Sequence, residues 1–141
     1  MSPIIQLPKF IAKVTFRGFD IDPTAVEKMI GRAASLLVRR GESRIPGGTP
    51  FKKSAASWSK EFARETRIDE MIPALLADVG GVAHLLAIKG QVLPEFFEVD
   101  ISMWIIDSEE QEGGFIEVPT IGALAVLGAS LSLGFYRINE K

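Results

Sequence analysis

The residues Gly47-Gly48-Thr49-Pro50-Phe51-Lys52-Lys53-Ser54 come closest to a chemical motif in this chain. A phosphate-cradling loop needs two glycines around four variable positions, then a lysine and a hydroxyl, so that backbone amides wrap the phosphate. Here Lys52 stands where the second glycine belongs, and Pro50 removes an amide that should point at the ligand. Nucleotide hydrolysis is therefore not expected. His84, the single histidine, has no Asp or Glu within five residues on either side, so no local acid–base pair or metal site is encoded there. Glu61 and Glu65 fall on one face if their segment is helical, but Lys60 and Arg64 share the spacing, as on a solvated face of mixed charge. The acidic run Asp107 to Gly113 lacks the ligand spacing of a calcium loop and reads as a solvated hairpin turn. No serine nucleophile turn with partner histidine and acid is present. Catalysis has no local signature, no cofactor or metal is expected, and the chain reads as more akin to a binding protein than to an enzyme.

A second kind of chemistry is carried by charge. Residues 32–67 hold nine Lys or Arg against three Glu, whereas residues 92–117 hold eight Asp or Glu and no Lys or Arg. One reading is a bipolar surface that steers and orients a charged partner. The other is that acidic and basic strands lie side by side and neutralise each other across a sheet. On the first reading the binding candidates are Arg39, Arg40, Arg44, Phe51, Lys52, Lys53 and Trp58, with the aromatics as anchors. The same interleaving could grip single-stranded nucleic acid. A sequence pI near 5.5 lacks the basic footprint of such a binder, so nucleic acid is not the expected partner.

Composition sets the frame for these residues. The chain has 141 residues, 47% apolar and 24% charged, with 13 Gly, 8 Pro and no Cys. That length suits one self-sufficient domain, read here as residues 10–138 after a tail of residues 1–9. Without cysteine there is no disulfide, thiolate metal site or Cys nucleophile, which fits a reducing, cytoplasmic setting. The start, Met1-Ser2-Pro3-Ile4-Ile5, has neither the basic beginning nor the apolar core of an export signal. Val118 to Tyr136 runs 19 residues without a charge, close to a membrane span. Its spacing changes at Gly128 from helical to alternating, so a helix followed by a strand is expected and no membrane partner.

Phe10, Ala12, Val14 and Phe16 alternate with Ile11, Lys13, Thr15 and Arg17, predicting a first strand. Asp22-Pro23 opens a short helix that Gly31 closes. Ser35–Val38 and Ala56–Phe62 are expected as strands, although residues 60–64 would also suit a helix. Arg44 to Pro50, with two prolines and two glycines, predicts an exposed loop without regular structure. Met71, Ile72, Leu75, Leu76 and Val79 predict a helix that Gly80-Gly81 interrupts before Val82–Ile88 resumes it up to Gly90. Strands are expected at Phe97–Ile105 and Phe115–Val118, then a helix from Thr120 and a last strand ending at Ile138. The series implies an α+β two-layer sandwich, with helices on one face of a mostly antiparallel sheet and a ferredoxin-like topology. Strand, short helix, glycine and strand occur at residues 10–38 and again at 115–138, which raises the possibility of a duplicated unit.

These pieces also carry a likeness. Gly18-Phe19-Asp20-Ile21-Asp22-Pro23, the helix ending Met29-Ile30-Gly31, the Arg40-Gly41-Glu42 turn, Lys53-Ser54-Ala55-Ala56-Ser57-Trp58-Ser59 and the later leucine-containing helix resemble the bacterial domain-of-unknown-function family numbered 4279, from Phe10 to Tyr136. The resemblance implies a small soluble bacterial α+β domain and brings no catalytic residues with it. By analogy alone it is compatible with an accessory or immunity-like protein.

Two functional expectations result. The first is a non-enzymatic module that binds another protein through the basic segment. The second is a small-molecule or enzymatic site in the cleft between sheet and long helix, walled by His84 and Trp104 with Trp58 and Arg44. A homodimer through the sheet's exposed edge or polar face is compatible with either.

Overall fold

The computed structural model describes residues 9–106 and 114–138. Five strands and four helices follow one another as β1 (Phe10–Arg17), α1 (Pro23–Ile30), β2 (Leu36–Val38), β3 (Ala55–Phe62), α2 (Ile68–Asp78), α3 (Val82–Val92), β4 (Phe96–Ile106), α4 (Val118–Leu127) and β5 (Ser130–Ile138). The strands form one open sheet in the order β2-β3-β1-β4-β5. The three pairings among the first four strands are antiparallel, and β4–β5 is parallel. The α+β class therefore holds with a mixed sheet. Ferredoxin-like topology does not describe the whole of it, because α4 carries the chain over to a fifth, parallel strand beyond β4.

Alternation along β1 decides which face is which. Phe10, Ala12, Val14 and Phe16 are buried beneath the helices, and register places Ala56, Trp58, Val99 and Ile101 on the same side. Helices α1, α3 and α4 touch in that order, α1 against β2 and β3, so α4 forms the flank of the helix layer farthest from α1. Met71, Ile72, Leu75 and Leu85 fill the space between layers and are fully buried. Phe16 sits at the centre, edge-on to Trp58 at 6.0 Å and to Phe97 at 4.8 Å. The opposite face is polar, with Thr15 and Ser57 hydrogen-bonded at 2.9 Å and Arg17 ion-paired to Glu98 at 3.3 Å.

The helix boundaries follow local chemistry. The Asp22 side chain accepts from the Thr24 amide at 2.8 Å and its hydroxyl at 2.6 Å, Pro23 occupies the first turn, and Gly31 closes α1 at φ 82. The expected long helix is two helices bent by 62° at Gly80-Gly81, the second running on past Gly90 to Val92. Residues 60–62 extend β3 and do not form the helix that their charges also suited. Phe115–Val118 is not a strand: residues 114–117 lack regular structure and α4 begins at Val118, where Pro119 presets the first turn. The expected acidic turn at residues 107–113 lies outside the described residues. Gly128, like Gly31, ends its helix in the left-handed region, which accounts for the local echo. The echo stops there, since residues 114–117 form no strand and the second unit lacks its opening element. Among the described residues no single helix is long and apolar enough to cross a membrane.

Asp22 gives the fold a defined acid sensitivity. Hydrogen bonds from the Thr24 side chain, then from Arg39 and the Thr24 amide, hold its carboxyl at about 2, against an ordinary 3.8. A depressed folded-state value stabilises above the unfolded value and loses that contribution as pH falls through the folded one. Thermal midpoints measured across this range are expected to fall less steeply for Asp22→Asn, which keeps a capping oxygen but no titrating charge. Identical slopes would refute the role.

Candidate functional site

One end of the sheet gathers most of the residues singled out by charge. β1 and β2 end there, while β3 and β4 begin there, as Arg17 pairs with both Ala55 and Phe96, and Val38 with Ala55. Their loops are strapped together by backbone bonds from the Gly18 amide to Ser54 O at 2.8 Å and from the Glu95 amide to Gly18 O at 3.0 Å. From this end projects the segment Arg39–Ser54. Its arms are tied by Gly41 N to Phe51 O at 2.9 Å, Phe51 N to Glu42 O at 2.8 Å and a bridge between Ser43 and Pro50. Pro46, Gly47 and Gly48 thus form the tip of a braced hairpin.

Most of its cations are already paired. Arg39 reaches Asp22 Oδ1 at 3.1 Å, and the hydrogen bond from that carboxylate raises the guanidinium above its ordinary value. Arg40 lies 3.9 Å from Asp20, with both side chains largely in water, where such a pair contributes little. Lys53 pairs with Glu95 and lies over the Phe96 ring at 5.5 Å. Arg44 and Lys52 are exposed, and no carboxylate among the described residues pairs with either. On the same hairpin Ile45 is 64% exposed, and Phe51 is half-buried.

The remaining candidates do not join this site. Trp58 is a core residue, 2% exposed, with its indole N–H donating to Arg32 O at 3.0 Å. It therefore anchors the sheet to the turn after α1 and presents no ring to a partner. His84 Nε2 is 3.0 Å from Ile30 O at the end of α1. Trp104 lies on the polar face of the sheet and stacks on Tyr136 at 5.6 Å, tilted by 31°. His84 and Trp104 are thus on opposite sides of the sheet and do not wall one cleft. The space between the layers is filled by side chains. A shallow, open depression of about 320 Å³ lies at the end of α3, lined by Leu86, Lys89, Gly90, Leu93 and Pro94. No group of three potential metal-ligating side chains occurs among the described residues.

The basic and acidic segments meet directly at Lys53–Glu95, and elsewhere their charges find other partners. β1 separates the basic β3 from the acidic β4, so Glu98 and Asp100 are matched with Arg17 and Lys13 of β1. The basic hairpin is balanced chiefly by Asp20 and Asp22, from the loop leading into α1. From sequence alone Asp22 reads as a helix opener and Asp20 only as part of the family likeness, although their spacing in Gly18-Phe19-Asp20-Ile21-Asp22 is the signal that pairs them. No protein-family model, curated protein or solved structure matches the chain.

Proposed function

We propose that this chain is a non-enzymatic protein-binding module whose contact element is the hairpin Arg39–Ser54. The observation that carries the reading is a braced hairpin that holds two unpaired cations, Arg44 and Lys52, and exposes the apolar side chain of Ile45 next to Arg44. Free cations and an exposed apolar side chain on one hairpin suit an acidic protein surface with a small apolar recess. Bracing lowers the ordering cost of binding, because the arms are already held by backbone bonds. Arg39, Arg40 and Lys53 support the hairpin through their ion pairs and contribute less free charge. The resemblance to the family numbered 4279 is in keeping with an accessory role of this kind, in the cytoplasm of a bacterium.

The test is affinity capture on the full chain at low and moderate salt, beside the double variant Arg44→Glu, Lys52→Glu. A stoichiometric protein is expected with the unaltered chain, weakened by added salt, and associating about tenfold more slowly with the variant. Equal capture by both chains at both salt levels would refute the hairpin as the contact element.

A further inference from the structure

The opposite edge of the molecule has a different character. β5 is the last strand of the sheet, and among the described residues nothing pairs with its outer edge. From Val118 to Tyr136 the chain has no charged side chain. α4 forms the corresponding flank of the helix layer, so helix and strand share one side of the molecule. Thr120, Leu124 and Leu127 take the buried face of α4, which leaves Val118, Ile121 and Val126 outside at 80%, 54% and 60% exposure. On β5, Leu133, Phe135 and Tyr136 are each about half exposed.

A surface helix normally turns charged residues to water, and an edge strand normally carries a charge, a proline or a bulge that blocks further pairing. α4 turns no charge to water, and β5 carries no proline and only one charge, Arg137, next to its end. Five of these side chains lie on the helix side and Tyr136 on the other face of β5, and together they amount to roughly 600 Å², comparable with the largest apolar patch on a monomer. With the free strand backbone, they approach the ~800 Å² per partner of a standard interface.

We infer that β5 pairs antiparallel with β5 of a second copy of this chain, joining the two sheets edge to edge with α4 beside α4. The pattern of the strand fits this occupant. A two-fold axis places a residue opposite itself, which penalises any charge near it, and β5 is uncharged up to Tyr136. With the axis at Gly134, Leu133 faces Phe135 of the second copy on the helix side, and Ser132 faces Tyr136 on the other. Gly134 presents no side chain at the axis, and the Tyr136 ring already lies over it.

Sedimentation of the full chain across a dilution series tests the pairing, alongside Leu133→Lys, Phe135→Lys and, as a control on the distant hairpin, Ile45→Lys. The unaltered chain and the control are expected to be dimers, with each β5 variant dissociating at least about tenfold more readily. A chain that is monomeric throughout overturns the inference, whether or not a different protein binds there. So does a dimer that neither β5 variant weakens. If the variants lose their far-ultraviolet circular dichroism, crosslinking decides. The chain lacks cysteine, so a Leu133→Cys, Phe135→Cys double variant should oxidise to a covalent dimer, and its failure to do so overturns the pairing. The hairpin and this edge are separate surfaces, so failure of one leaves the other standing.

Discussion

Phe16→Ala is expected to cost about 3–5 kcal/mol of folding stability, lowering the thermal midpoint by about 10 °C or more. Phe16 is fully buried on the central strand, and its ring meets Trp58 on one neighbouring strand and Phe97 on the other, both edge-on. Truncation removes the burial of a large apolar side chain, two aromatic contacts and the filling of the space between them. Collapse around the gap is restricted, because the backbone of β1 is paired on both sides through this position. Leu36, 55% exposed on the short edge strand β2, supplies the contrast. Its change to alanine is expected to move stability by no more than about 0.5 kcal/mol. Chemical denaturation of both variants checks the pair, and similar losses would contradict the assigned core.

Gly18→Val is expected to be the next most damaging change, at about 2–4 kcal/mol. Gly18 has φ 77, which a β-branched residue resists, and a Cβ built there would lie 2.7 Å from the Cβ of Glu95. The neighbour cannot easily move away. Glu95 donates its amide to Gly18 O and pairs with Lys53, while the Gly18 amide is bonded to Ser54 O. Gly31→Ala separates the two causes, since Gly31 has a similar φ of 82 but nothing within 4 Å of its Cβ position. That change should cost only the dihedral term, about 1 kcal/mol. If Gly18→Val proves no worse than Gly31→Ala, the close approach to Glu95 is not what fixes glycine there.

Local physics made most of the elements readable. Alternation marked β1 and β4, capping residues marked α1, and Gly80-Gly81 marked the break between α2 and α3, because each signal is set by residues next to one another. The parallel placing of β5 was not readable, since the strand's own alternation is the same whichever way its neighbour runs. Phe115–Val118 was misread because apolar residues after a glycine pair suit a strand, until Pro119 is weighed as a helix start. At the candidate site, the cations of the hairpin were visible and their counter-charges were not. Asp20 and Asp22 come from a loop that is remote in sequence from Arg39 and Arg40 and meets them only because β1 and β2 end at the same level. Trp58 was ambiguous for a related reason. An isolated tryptophan in a basic segment suits an interface and a core equally, until register sets it opposite Val14.

The position of β1 also shapes how the chain must be made. This strand is synthesised before the other four, yet it lies in the middle of the finished sheet. One of its edges is satisfied by residues 55–62, and the other waits for residues 96–102. During translation an apolar strand with an unmet hydrogen-bonding edge therefore persists until β4 has left the ribosome. Pairings such as Ile11 with Ser102 span most of the chain, which makes folding slower than in a helical bundle of this size. The nascent protein is most open to misassociation during that interval, and a holding chaperone would find its target in β1.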